Sequence, residues 1–304
     1  MHEPSVLAAA VILLVASNAP AQPPANAGAH YSFEAIDPPD MNPDAVYAFG
    51  INNHGDVVGY YRTPSNCNDP GTVCDVGWLK DGQGYRKIYF PNPAGYTYVT
   101  GINDSGMIVG RCCGTSAANN PGFAYNLKDG SFEQILVPGA QANFPTSVNS
   151  FGVIGGFSEA GTSTTGFLLQ NGIFTQIAYP GASRTYVYGV NSGGQAVGVA
   201  VTGTASQAFI YQNGTFQQIG YPGAGGTAPY GINDEGDIVG AYSPPGFPDL
   251  AYGFIYHNGS FLPFDQPNCN GTIPQGINNH GVIVGKACIG AFIATPQTDG
   301  KPSR

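Results

Sequence analysis

Gly50–Gly59 reads GINNHGDVVG, and the pattern returns five times: GINDSGMIVG from Gly101, SVNSFGVIGG from Ser147, GVNSGGQAVG from Gly189, GINDEGDIVG from Gly231 and GINNHGVIVG from Gly276. Its third position is always Asn (Asn52, Asn103, Asn149, Asn191, Asn233, Asn278), with Gly three and seven residues later. Successive Asn residues are 51, 46, 42, 42 and 45 apart. A period of this length carried by β-type residues points to a propeller or array.

Outward from the decapeptide, each copy leads to a small residue followed by an aromatic: Gly77-Trp78, Gly122-Phe123, Gly166-Phe167, Ala208-Phe209, Gly253-Phe254 and Ala291-Phe292. Five of these pairs run into Asp81-Gly82, Asp129-Gly130, Asn171-Gly172, Asn213-Gly214 or Asn258-Gly259. Such dipeptides tolerate positive φ at both centres of a two-residue hairpin. The first turn, with Gly82-Gln83-Gly84, is expected to be longer. An aromatic-x-x-Ile pattern follows the first four turns, as in Phe174 and Ile177, and Phe261 and Phe264 take its place after the fifth. One repeat is therefore four strands, a to d: a ends at the Asn, b at the second Gly, c carries the small–aromatic pair and d the last pattern.

The chain begins with a lone d strand, His30–Asp37, and ends with a lone c strand, Gly290–Thr295. Pairing them would complete a sixth blade and remove the open edges. The expected fold is all-β, a six-bladed propeller of four-stranded antiparallel blades over residues 30–296, with a polar tail at 297–304. The composition agrees: 45 Gly and 25 Pro punctuate the runs as turn residues, while 12% aromatics supply a core.

Ahead of the repeats, residues 1–21 read as a secretory signal, with an apolar run from Val6 to Ala16 and a small-x-small site at Ala19-Pro20-Ala21. The run is too short for the ~20 residues of a membrane span. Residues 22–29 are a spacer, and the mature protein is expected to be secreted, extracellular or periplasmic. Net charge is −9 with ten scattered Lys and Arg, so no basic stripe is present for nucleic acid.

The repeat Gly-Ile-Asn-x-x-Gly-x-Ile-Val-Gly, followed by Gly-Phe, Asn-Gly-x-Phe and Tyr-Pro-Gly-Ala, resembles the bacterial extracellular HAF-repeat family. The family's His-Ala-Phe triplet is replaced here by sequences such as Gln207-Ala208-Phe209 and Tyr252-Gly253-Phe254. The resemblance implies an exported β-repeat protein of unassigned activity and supplies no catalytic residue.

In such a blade the b–c and d–a loops share one face of the ring, the loop face, and the a–b and c–d turns share the other, the turn face. All six cysteines fall on the loop face. The expected bridges are Cys67–Cys74 and Cys269–Cys288, with Cys112 and Cys113 either a vicinal bridge or reduced. A zinc site lacks the Cys-x-x-Cys spacing. His54 and His280 occupy matching turns of adjoining blades, but solvated turn histidines are the simpler reading. Asn233–Asp237 lacks the distal Glu and alternating ligands of a calcium loop. No metal and no cofactor are expected.

Tyr47, Tyr98, Phe144 and Tyr186 hold corresponding positions just before strand a, with Tyr188 and Tyr230 close behind. Rings at a mouth suit a sugar or a peptide, although packing against the Pro-containing d–a loops is the competing reading. No nucleophile elbow, zinc-protease motif or phosphate loop is present. The sequence thus favours an exported binding or interaction module for a glycan or protein partner, with oligomeric state open. An extracellular lyase or hydrolase and a structural envelope or biofilm protein are the alternatives.

Overall fold

The computed structural model describes residues 31–39, 46–63, 74–91, 96–112, 120–269 and 271–297. The signal and spacer readings, Cys67 and Cys113 lie outside these residues, as does the side chain of Cys74.

The described chain opens with β1 (Tyr31–Ala35). The first full repeat is β2 (Val46–Ile51), β3 (Val57–Thr63), β4 (Cys74–Asp81) and β5 (Gly84–Ile88). The second is β6 (Thr97–Ile102), β7 (Met107–Cys112), β8 (Gly122–Asn126) and β9 (Phe132–Ile135). The third is β10 (Ala142–Val148), β11 (Ile154–Ala160), β12 (Ser163–Gln170) and β13 (Ile173–Ile177). The fourth is β14 (Arg184–Val190), β15 (Gln195–Thr202), β16 (Ala205–Gln212) and β17 (Thr215–Ile219). The fifth is β18 (Gly226–Ile232), β19 (Ile238–Ser243), β20 (Tyr252–His257) and β21 (Ser260–Pro263). The chain ends with β22 (Ile273–Ile277), β23 (Ile283–Ala287) and β24 (Gly290–Pro296).

These strands form a propeller-like arrangement of four-stranded antiparallel sheets. Four sheets are separate, with orders β2-β3-β4-β5, β6-β7-β8-β9, β18-β19-β20-β21 and β1-β24-β23-β22. The other eight strands join in one sheet. The join is a single parallel bridge, Thr164↔Arg184, between strands β12 and β14. An isolated bridge of the same kind, Asn120↔Ala142, links the ends of two neighbouring sheets elsewhere.

The repeated Asn explains the hairpin beside it. Its Oδ1 accepts the backbone N–H four residues on in all six copies, for example Asp56 N at 2.9 Å and Val153 N at 2.9 Å. The Gly three residues after it takes positive φ, 84° at Gly55 and 71° at Gly281. The amide's other end reaches the neighbouring repeat. Asn52 Nδ2 donates to Asn103 O, Asn103 to Asn149, Asn149 to Asn191, Asn191 to Asn233 and Asn233 to Asn278, at 2.9–3.3 Å. Asn278 Nδ2 returns to Asn52 O at 3.0 Å. One side chain thus satisfies its own turn and staples it to the next.

Two smaller expectations need correction. Asp81 pairs with Gly84, so the first c–d turn is a two-residue loop. The longer turn is at Asp129-Gly130, where Asn126 N–H bonds Ser131 O at 3.0 Å and the strands resume only at Phe132. The Asn126 and Asp129 side chains, which accept the N–H groups of Lys128 and Ser131, stabilise that wider loop.

The core lies between sheets. Each strand-c aromatic is fully buried and packs on the aromatic of a d strand: Phe123 on Phe132 at 5.4 Å, Phe209 on Phe216 at 5.1 Å, Phe254 on Phe261 at 5.1 Å. Phe292 meets Phe33 of β1 in the same way, at 5.2 Å.

Cys269 and Cys288 are joined, with Cα atoms 5.6 Å apart. This agrees with an oxidising compartment. Cys112 is also disulfide-bonded, which corrects the reduced alternative. The sequence separation of 19 gives a chain-entropy contribution of about 3 kcal/mol for Cys269–Cys288. The double substitution Cys269→Ala/Cys288→Ala should therefore lower the melting temperature by about 6–12 °C. Indistinguishable melts of variant and parent would refute a stabilising bridge. Among the described residues, no helix is long and apolar enough to cross a membrane.

Candidate functional site

Strand a begins, strand b ends and strand c begins on the loop face, so side chains near those ends build its surface. Two positions dominate: the residue five before the repeated Asn on strand a, and the residue after the second Gly on strand b. They are cross-strand partners: Tyr47↔Tyr60, Tyr98↔Arg111, Phe144↔Phe157, Tyr186↔Val199, Ala228↔Ala241 and Ile273↔Lys286.

Where these residues are large, the strand-b member of one sheet covers the strand-a member of the next. Tyr60 packs edge-on against Tyr98 at 4.8 Å, and Phe157 against Tyr186 at 5.0 Å. The Arg111 guanidinium lies 5.2 Å from the Phe144 ring and 3.9 Å from Tyr98. Lys286 Nζ sits 4.1 Å over Tyr47. Charge in this seam is tied up: Tyr98 OH donates to Asp75 at 2.5 Å, and Arg62 holds both oxygens of Asp75 at 2.9 and 3.2 Å. Burial lowers the pKa of Arg111, opposed by Tyr98, Tyr60, Asp75 and Glu159.

The seam loses its bulk at Val199, Ala228, Ala241 and Ile273. There it opens into a cavity of about 310 Å³ between the fourth and fifth repeats, with Tyr186, Tyr188, Tyr230 and Tyr242 among its walls. Ser206, Thr227 and Ser243 add hydroxyls, while Pro248 and Leu250 come from the loop after β19. Phe247, beside them, is an exposed apolar side chain on that loop.

Three of the six aromatics singled out from sequence therefore meet at one cavity: Tyr186, Tyr188 and Tyr230. The other three, Tyr47, Tyr98 and Phe144, belong to the filled part of the seam. Their partners are strand-b side chains, where the sequence had offered the Pro-containing loops. Tyr242, Pro248 and Leu250 were missed. Their signal was the long stretch between Gly240 and Phe254, which supplies a wall.

Tyr188 and Tyr230 also border a second cavity of about 90 Å³ on the axis, with Phe49, Thr100, Thr146 and Gln275 at the matching positions of other repeats. Burial raises the Tyr188 pKa, with Tyr230 and Tyr186 adding to it, and pushes Tyr230 up to about 12. Both hydroxyls stay neutral at physiological pH, suited to hydrogen bonding and unsuited to acting as bases.

On the turn face, His54 and His280 sit in adjacent hairpins linked by Asn279 N–H to Asn53 Oδ1 at 2.9 Å. Their backbone N–H groups bond Asn52 and Asn278 Oδ1, and both residues are exposed. Asn233–Asp237 makes the same turn as the other copies. Among the described residues no group of three or more His, Cys, Asp or Glu is placed to hold a metal ion.

No protein-family model matches the sequence, and a search of curated proteins returns no match. Solved structures do match. The β-propeller domain of the Trilobed protease from Pyrococcus furiosus, described as having an open velcro topology, aligns at a TM-score of 0.53 and 12% identity, over 84% of each chain. An arginine-to-alanine mutant of AofleA from Arthrobotrys oligospora gives 0.50 and 12%, over 91% of this chain and 89% of that one. Acylaminoacyl peptidase from Pyrococcus horikoshii gives 0.50 and 10%, over 84% of this chain but 46% of the peptidase. At these identities the likeness is one of fold, and the fold is that of the β-propellers.

Proposed function

We propose that the chain is an exported binding module, a closed six-bladed propeller of the HAF-repeat type that holds a glycan or peptide on its loop face. The blade count rests on dividing the eight-stranded sheet at its single bridge, Thr164↔Arg184. Closure is supported by the five-residue register of β1 on β24 and by the return of the Asn hydrogen-bond circuit from Asn278 to Asn52. Export is supported by the Cys269–Cys288 bridge together with the signal-like leader.

The observation that carries the reading is the loop-face cavity of about 310 Å³ bounded by four tyrosines. It combines apolar ring faces with a few hydroxyls on a scaffold braced by side-chain hydrogen bonds, as ligand sites do. Screening purified protein on glycan and peptide arrays tests it. Binding should fall at least tenfold on Ser206→Trp, at the exposed rim, and persist in His54→Trp on the opposite face. Loss on the turn face alone, or an array without any bound probe, would overturn the module reading.

A further inference from the structure

We propose that the cavity between the fourth and fifth repeats takes one neutral pyranose ring of a glycan, at a single site per chain. This rests on the loop-face reading above and gives that site its ligand class.

The site owes its existence to a local departure from the repeat. At corresponding strand-b positions the chain has Tyr60, Arg111, Phe157 and Lys286, each placed over an aromatic of the next sheet. Val199 and Ala241 take that position in the fourth and fifth repeats, facing Ala228 and Ile273 across the cavity. Small residues at these junctions remove the stacked rings that fill the others, and Ala241 is itself buried. The long connection after β19 then adds Pro248 and Leu250 as a wall instead of closing the gap.

Three properties select the ligand. The side chains lining the cavity are all uncharged, so a carboxylate or ammonium entering it would lose hydration without a paired charge. Aromatic faces beside Ser and Thr hydroxyls match a sugar ring, which is apolar on its C–H face and hydroxylated at its rim. At about 310 Å³ the space lies at the small end of ligand pockets, enough for one ring of a chain and not for several.

The test titrates the mature chain by calorimetry with neutral gluco- and galacto-trisaccharides, trigalacturonate and uncharged tripeptides. One neutral trisaccharide should bind with one site per chain. Ala241→Phe, which restores the Phe157-type filling, and Ser206→Trp, which blocks the rim from an exposed position, should each weaken it at least tenfold. The melting temperature of Ser206→Trp should match that of the parent, which keeps the test valid if Ala241→Phe folds poorly. Glu235→Trp, on the turn face, should bind as the parent does. Preference for trigalacturonate or a tripeptide that Ser206→Trp abolishes would refute the ligand class while leaving the loop face as the binding surface. Neutral-sugar binding lost only in Glu235→Trp would refute both, and binding of no probe, or of neutral sugar unaffected by both loop-face substitutions, would overturn this inference.

Discussion

A chain lacking Tyr31–Asp37 is expected to unfold at a melting temperature more than ~10 °C below that of the parent, or to aggregate on expression. The segment is seven residues long, yet five of them pair in register with β24 and its aromatic rings pack into the inter-sheet core. Its register runs from Tyr31↔Pro296 to Ala35↔Phe292, continued by Ile36 N–H to Ala291 O at 2.8 Å. Phe33 packs against Phe264 and Phe292 at 5.5 and 5.2 Å, and Tyr31 meets Phe264 edge-on at 5.0 Å. Ile36 is buried in a second cluster, with Val46, Trp78 and Ala291, so the segment bridges two inter-sheet cores. At roughly 1.5–3 kcal/mol for each large apolar side chain withdrawn from its site, the loss exceeds ~4 kcal/mol before the bared β24 edge is considered. A change of ~1 kcal/mol moves the midpoint by ~2–4 °C in a chain of this size class. Thermal melts of the two purified forms decide the matter. If the truncated chain melted within a few degrees of the parent, the β1–β24 pairing would contribute little and ring closure would lose its main support.

The parts of this fold that were readable from sequence are those in which one residue type answers one backbone demand. Asn171-Gly172, Asn213-Gly214 and Asn258-Gly259 all have positive φ at both positions, near 50° for Asn and 76–82° for Gly. The Asn of the decapeptide could be assigned to its own turn for the same reason. Its second bond, to the neighbouring repeat, was not readable, because adjacency between sheets leaves no local mark. The aromatic positions show the same limit. Their register placed Tyr47, Tyr98, Phe144 and Tyr186 on the loop face, but whether a ring is covered depends on the strand-b residue of the preceding sheet. Tyr98 lies beside Tyr60, Tyr186 against Phe157 and Tyr47 beneath Lys286, and the cavity that Tyr186 also borders opens where Val199 and Ala228 are small. That gap was latent in the sequence. It emerges when Ala228 and Ala241 are set against their counterparts in the other copies, a comparison that needs the cross-sheet pairing to have meaning.

The second Gly of the decapeptide supports an equally large expectation, and its reason is steric. Gly198 is not in the left-handed region; its constraint is the space beside it. Val187 pairs with Gly198 just before a register shift to Gly189, and there strand a presses the Tyr186 carbonyl against strand b. A Cβ at Gly198 would lie 1.9 Å from Tyr186 O and 2.9 Å from the Phe209 ring edge. The other copies are alike, with the nearest carbonyl oxygen at 1.9–2.3 Å from Gly59, Gly110, Gly156, Gly240 and Gly285. A flexible side chain could step aside, but the carbonyl belongs to a strand hydrogen-bonded within its sheet and packed around the axis. Relief requires separating strand a from strand b or breaking the bulge. Gly198→Ala should therefore cost ~4 kcal/mol or more, beyond the ~1–3 kcal/mol of ordinary overpacking. Gly194→Ala provides the contrast. Gly194 has a φ of 78° and open space around its Cβ position, so the added methyl meets only the left-handed penalty of ~1–2 kcal/mol. The measurement is a pair of thermal melts, with the Gly198 variant expected at least ~4 °C below the Gly194 variant. Equal midpoints would mean that strand a yields readily at this point, and the close approach of the two strands would no longer explain why every copy carries glycine there.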